Sequence, residues 1–457
     1  MFVTRCFHRE KTMASIHPLK AIAIVLATLA LTFTSSAAKA VSLIRDPDIE
    51  HALNRAAAPV LAAAGLGGNV QVLVVNDRSL NAFVIDNNHI FIHLGMLLRM
   101  DTPEMFQAVV AHEAAHITNG HISRRITNMG AAQTAAGLGL ALAAAAAAAT
   151  GNANAGVGIA LGTTATAERR FLAHTRAEEV AADQTGVRYM SRAGVDPQGA
   201  VDVHEIFRGQ EALNTSRQDP YMRSHPLTRD RIRTMKSYAA AHADKAKPTD
   251  PDVAYWYARA RAKLAAFTLS PGWTLNRLGE SPTQDIRLMR EAAARHRLSQ
   301  FNAALTAINS AIKLRPEDAF YYELKGQILL ENRRFNDAVS AYRKSAALAP
   351  RNALCLASLG RALLAADRPR EALDALEKSR NRDFRNGLML RDLGAAYART
   401  GNNGMAALSA AERYALQGRL KDAGVLAKRA SGLLPTGSRG WRRAEDILRQ
   451  AERAEKK

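Results

Sequence analysis

A spacing of 34 residues recurs through the C-terminal half of the chain. Ala304, Ala338, Ala372 and Ala406 are separated by it, as are Gly326, Gly360 and Gly394, and Pro316 and Pro350. Tyr342 stands four residues after Ala338, and Ile308 and Leu376 hold the same place one period either side. A period of this length is one supersecondary unit. Two helices cross at a small residue, a large one fills the crossing, and a proline closes the unit. No such unit buries its apolar face alone, so neighbours stack into a solenoid. The register slips after Ala406. Ala423 and Pro435 keep the spacing of Ala304 and Pro316 but come 17 residues after Ala406, so the last unit is irregular, as a cap is.

The 34-residue period with these small and large slots is the tetratricopeptide pattern. Its concave groove binds polypeptides, and nothing in the repeats carries catalysis. The rest of the chain is organised differently. At 457 residues it is too long for one ordinary domain, and 47% hydrophobic content suffices for packed cores. Formal charge is +20, but Lys and Arg are scattered, which points to diffuse attraction to anionic surfaces rather than to nucleic acid. Residues 1–40 have the form of a secretory signal. Lys11, His17 and Lys20 form a basic region, Ala21 to Phe33 an apolar run of 13 residues, and Ala38-Lys39-Ala40 a small-x-small cleavage site. The alternative is an uncleaved anchor, and the start is either Met1 or Met13. Beyond the signal only Cys355 remains, which leaves no internal disulfide to form.

Residues 41–248 then read as a catalytic domain. Pro47 to Ala64 forms a helix, and Val70 to Val75, Asn81 to Ile85 and Ile90 to His93 form three short strands between turn-prone segments. Residues 129–167 are almost all Ala, Gly, Leu and Thr without charge, two apolar helices joined at Gly151 to Gly156. They form a hairpin that dips into a lipid surface or lies over the site as a lid, or else a plain buried helical pair. The Ala/Lys/Asp/Pro-rich stretch from Ala239 to Pro251 is a linker, and 249–457 is the repeat domain.

His112-Glu113-Ala-Ala-His116 carries the chemistry. Thr102 caps its helix and Pro103 occupies the first turn. Positions i and i+4 share a helix face, so both imidazoles reach one metal, with Glu113 beside them to take a proton from water. A catalytic zinc needs a third protein ligand. A histidine ten residues after His112 would supply it, but that position is Ile122, and His121 is one residue out of register, a polar residue near the helix end. A glutamate on a later helix is the other solution. Glu179 and Asp183 lie one turn apart, so Glu179 can ligate the metal while Asp183 accepts the free N–H of a ligand histidine. Glu178 competes with Glu179 but does not share the Asp183 face.

These motifs, with Gly186 and the preceding Asn81-Ala82-Phe83, resemble the HtpX/BepA-like gluzincin metalloproteases of peptidase family M48. The order of signal, protease and tetratricopeptide repeats is similar to the periplasmic branch concerned with outer-membrane protein quality control. The resemblance implies a fold that is mostly α with a small β-sheet in the protease domain (α+β, zincin-like), followed by the all-α solenoid. It implies one Zn2+ per chain, with Asn81, Ala82 and Phe83 lining the substrate cleft. It also brings in Ser224-His225-Pro226 and Arg231. His225 is then either a fourth ligand that keeps the enzyme latent or a donor to the oxyanion, and Arg231 assists. One departure is Ala181, where family members often carry a second acidic residue.

The function so implied is a zinc metalloendopeptidase that cleaves misfolded or misassembled exported proteins in the periplasm. The repeats hold substrates or partners, the outer-membrane assembly machinery among them, and residues 129–167 touch the membrane. The alternative is a periplasmic chaperone or assembly factor with a latent protease site.

Overall fold

A computed structural model describes residues 42–121, 124, 176–214 and 217–455. The signal at 1–40 and the hairpin at 129–167 lie outside the described residues. The N-terminal part holds a four-stranded sheet built from β1 (Leu43–Ile44), β2 (Gln71–Val75), β3 (Ala82–Val84) and β4 (His89–His93), in the order β1-β2-β4-β3. β2 and β4 are parallel, with Val72 opposite Ile90 and Val74 opposite Ile92, while β3 folds back antiparallel on β4 and forms an edge. One sheet face, through Val72, Val74, Ile90 and Ile92, packs on α1 (Pro47–Ala63) and α3 (Pro103–Thr118), and α2 (Leu94–Arg99) follows β4 directly. Asp46 caps α1 by accepting from the Asp48 and Ile49 amides, and Thr102 caps α3 by accepting from Met105 N, with Pro103 at the first turn as its sequence indicates. A helix over 176–193 (α4), α5 (Gln198–Ile206), α6 (Pro220–Ser224) and α7 (Arg229–His242) complete this part.

α8 (Pro251–Thr268) begins two residues after the boundary set at 249, yet its Val253, Tyr257, Ala260 and Leu264 belong to the same core as α1 and α3. It also carries two fully buried cations. Lys263 Nζ lies 2.9 Å from Asp46 and 3.5 Å from Asp48, at the start of α1, and 3.9 Å from Glu323 in the solenoid. Arg259 Nε forms an ion pair with Asp48 Oδ1 at 2.8 Å, its Nη2 donates to Asp318 at 3.0 Å, and its guanidinium lies 4.1 Å over the Tyr321 ring. Charges survive such burial only when paired, so this cluster ties the protease part to the repeats.

The solenoid runs from α9 (Pro271–Asn276) and α10 (Gln284–Arg297) through α11 (Phe301–Leu314), α12 (Ala319–Glu331), α13 (Phe335–Leu348), α14 (Ala353–Ala365), α15 (Pro369–Arg380), α16 (Gly387–Arg399), α17 (Asn403–Leu416), α18 (Leu420–Leu433) and α19 (Arg439–Glu455). The 34-residue period has a direct steric cause. A Cβ on Gly326 would sit 2.8 Å from the Tyr342 ring, and one on Gly360 2.4 Å from Leu376 Cγ. The same period also governs two features that the sequence reading passed over. Asp318, Asn352 and Asn386 each cap the next helix by accepting two amides. Ser299, Arg333, Asp367 and Gly401 each take positive φ in the turn between paired helices. Residues 44–49 form one wall of a cleft of about 290 Å³ whose other wall is α12, α14 and α16.

Candidate metal centre

Three separate segments converge on one buried point. α3 presents His112 and His116 from successive turns, and their Nε2 atoms stand 3.1 Å apart. α4 presents Glu179, whose carboxylate oxygens lie 3.2 Å from His112 Nε2 and 3.3 Å from His116 Nε2. The segment after α6 brings in His225, with Nδ1 2.9 Å from Glu179 and 3.3 Å from His112 Nε2. All four side chains are buried. α3 and α4 come this close because of Gly186, where a Cβ would stand only 3.3 Å from the backbone nitrogen of His112.

The donor set suits a small divalent ion. Zinc binds nitrogen and carboxylate oxygen at about 2.0–2.2 Å in a tetrahedron, so its ligand atoms should stand roughly 3.3–3.6 Å apart. With Glu179 Oε2 as its donor, four of the six separations are 2.9–3.3 Å, His116 Nε2 lies 3.3 Å from the other Glu179 oxygen, and one donor atom from each residue lies within 4.8 Å of the rest. The electrostatics distinguish the donors. Burial works against an ionised Glu179, but the three surrounding imidazoles hold its pKa well below the usual carboxylate range. Burial likewise opposes charge on His112, yet its hydrogen bonds to Asp183 and Glu179 raise it to about 10, so a metal taking its Nε2 displaces a proton. Burial prevails at His116, which falls to about 3 and is neutral, as a ligand must be.

Residues 44–239 match the profile of Peptidase family M48. These residues form an M48 peptidase domain. The Putative beta-barrel assembly-enhancing protease of Vibrio cholerae is 25% identical over 269 residues, covering 55% of this chain and 52% of that protein. The Beta-barrel assembly-enhancing protease of Escherichia coli K12 is 25% identical over 292 residues, covering 63% of this chain and 59% of that protein. The chain thus matches a little over half the length of these curated relatives. Among solved structures, MamA from Desulfovibrio magneticus RS-1 is 21% identical over 36% of this chain and 96% of its own, at a TM-score of 0.31.

Further residues support the cluster in the M48 domain. Asp183 Oδ1 lies 3.1 Å from His112 Nδ1, and the Arg231 guanidinium grips the same carboxylate through Nε at 2.8 Å and Nη2 at 2.9 Å. Burial opposes ionising Asp183, but Arg231 and the His112 hydrogen bond hold its pKa far down. Arg231 also donates to the Pro226 carbonyl at 2.7 Å and approaches Glu179 to 3.4 Å. It therefore ties the His225–Pro226 segment to the ligand shell. Glu113 is fully buried, with its carboxylate 3.5 Å from His225 Nε2. Glu178 turns the other way and pairs with Arg124 at 3.5 Å.

The edge strand divides the Asn81-Ala82-Phe83 trio. The Ala82 carbonyl meets His225 Nε2 at 3.2 Å, and Asn81 Oδ1 accepts from Ser224 Oγ at 3.3 Å. Phe83 faces the other side of the sheet, as strand alternation requires, and stacks on Phe91 at 5.3 Å. The sequence reading missed Tyr221, which packs between Phe207 and His225 with ring centroids 4.8 and 4.7 Å away, and the buried His204, 4.0 Å from Asp183. It also placed His121 as a bystander, whereas His121 is buried with Nδ1 2.9 Å from His116 Nδ1.

Proposed function

We propose that this chain is a zinc-dependent metalloendopeptidase that cleaves misfolded or misassembled exported proteins, with His112, His116 and Glu179 as the metal ligands. The observation that carries the reading is the buried three-nitrogen, one-oxygen cluster with a buried Glu113 beside it. A bound Zn2+ there would act as a Lewis acid on the scissile carbonyl and lower the pKa of water. The chain's own groups do the rest. The Glu113 carboxylate accepts the proton of the attacking water and delivers it to the departing amide nitrogen. Asp183 holds His112 in the tautomer that keeps Nε2 free for the metal. The edge of β3 near Asn81 to Phe83 accepts the substrate as an added strand, with the Ala82 carbonyl exchanging His225 Nε2 for a substrate amide.

The names of the two curated relatives, beta-barrel assembly-enhancing proteases, support β-barrel proteins under assembly as the substrate class. The signal-like form of residues 1–40 supports action in the periplasm after their removal. Among the described residues no helix is long and apolar enough to cross a membrane. Contact with lipid is assigned to the uncharged, Ala- and Gly-rich stretch 129–167 on its composition. Protein partners, the outer-membrane assembly machinery among them, would use the cleft between α12, α14 and α16.

One observation favours a second reading, a chaperone or assembly factor whose protease is held latent. His225 Nδ1 completes a four-donor set, and a catalytic site keeps one position open. His225 must then leave before a substrate carbonyl can enter. If it stays, its Nε2 is unavailable as an oxyanion donor. The deciding experiment compares zinc content and degradation of an unfolded β-barrel precursor for wild type and Glu113→Gln. Equal zinc with degradation by wild type alone supports the protease. Equal zinc with degradation by neither supports the latent reading.

A further inference from the structure

The M48 site leaves one requirement open. For His116 to offer Nε2 to a metal, its ring must be neutral with the proton on Nδ1, and a buried N–H needs an acceptor. His112 meets the same requirement with Asp183. No carboxylate faces His116 Nδ1 among the described contacts; what faces it is His121 Nδ1 at 2.9 Å, with the two rings nearly perpendicular at 72°. We propose that His121 is a positioning residue of the metal centre, its Nδ1 accepting the Nδ1–H of His116 and so aiming His116 Nε2 at the metal.

The backbone is arranged to allow this. On an unbroken helix, residue 121 would lie about 140° round the axis from His116 and face away from it. α3 instead stops at Thr118. The Asn119 amide bonds Ala115 O, the Gly120 amide bonds Ile117 O, and Gly120 takes φ +69°, the left-handed turn that glycine adopts without strain. The left-handed Gly120 redirects the chain, and His121 is 2% exposed. Its acceptor role fixes its own tautomer, with the proton on Nε2. The device also has an electrostatic consequence. Asp183 is already neutralised by Arg231, so a neutral histidine orients His116 without adding a second charge to the shell, as a carboxylate at 121 would.

This inference rests on the metal reading of the site, and the test keeps the two apart. Zinc affinity is measured by competition with a chromophoric chelator on the full chain for wild type, His121→Leu and His121→Asn, with the melting temperature of each apo protein alongside. Asn places Oδ1 near the position of Nδ1, whereas Leu offers no acceptor. His121→Leu should bind zinc about 10–100-fold more weakly, and His121→Asn should recover most of that loss, while the apo proteins melt together. Unchanged affinity in His121→Leu, or equal losses in both variants, overturns the role of His121 and leaves the metal site standing. A wild type that holds no stoichiometric zinc overturns both.

Discussion

Replacing Asp183 with Asn should separate folding from metal binding at this site. Asp183 is 5% exposed and makes three charge-assisted contacts, two with Arg231 at 2.8 and 2.9 Å and one with His112 Nδ1 at 3.1 Å. Arg231 is itself buried, and its other partners are the Pro226 carbonyl and a more distant Glu179. Removing one partner of a buried ion pair costs about 3–5 kcal/mol, because the surviving charge stays desolvated. For a domain of this size each kcal/mol moves the melting temperature by roughly 2–4 °C, so Asp183→Asn should lower it by about 6–20 °C. Loss of the carboxylate on His112 should weaken zinc by a further 10–100-fold, about 1.4–2.7 kcal/mol. The double variant Asp183→Asn/Arg231→Leu removes both charges. It should recover most of the melting temperature while zinc stays weak. Calorimetry on the apo proteins and chelator competition on the loaded ones read the two effects. A melting loss below about 2 °C for Asp183→Asn, or zinc affinity restored in the double variant, would refute the reasoning.

Two further predictions concern the solenoid and its junction. Burial lifts the Glu323 carboxyl to about 7 from its usual 4.5, against the pull of Lys263, with Asp46 and Asp48 adding to the rise and Ser358 opposing it. A carboxyl raised in the folded state contributes stability below about 4.5 that is lost as pH climbs through about 7. Wild type should therefore lose stability between pH 5 and pH 8 relative to Glu323→Gln, and parallel denaturation curves at both pH values would count against this. Gly360→Ala should cost about 1–3 kcal/mol by overpacking on Leu376. Gly394→Ala, with no neighbour closer than 3.5 Å, should instead gain up to about 1 kcal/mol from lost chain entropy. Urea titration of the two variants measures the difference, and equal effects would break the steric account of the period.

The features legible in the sequence are those whose physics is local. The helix carrying His112 and His116 was readable from Thr102, Pro103 and the i,i+4 spacing. The sharing of a face by Glu179 and Asp183 followed from the same spacing, and the repeat from its glycine and large-residue slots. Three of the four strands were found within a residue or two, but the two-residue β1 and the strand order were not, because the parallel pairing of β2 with β4 is a tertiary fact. α8 misled for a related reason. Arg259 and Lys263 look like a solvated face, and the acids that neutralise them, Asp46, Asp48, Asp318 and Glu323, are between 59 and 217 positions from their partners. His121 was read as a polar residue near the helix end because it was weighed only as a third metal ligand, for which it is one residue out of register, although Asn119-Gly120 is itself a helix-stop signal. The caps at Asp318, Asn352 and Asn386 were in plain view at the repeat spacing.

X-ray absorption at the zinc edge tests the ligand assignment most directly, on wild type, Glu178→Gln and Glu179→Gln. Wild type and Glu178→Gln should show one zinc with four nitrogen or oxygen neighbours at about 2.0–2.2 Å, including imidazole scattering from His112 and His116, and Glu179→Gln should lose that spectrum. A wild type without zinc, or a Glu179→Gln protein whose spectrum is intact while that of Glu178→Gln collapses, would contradict it.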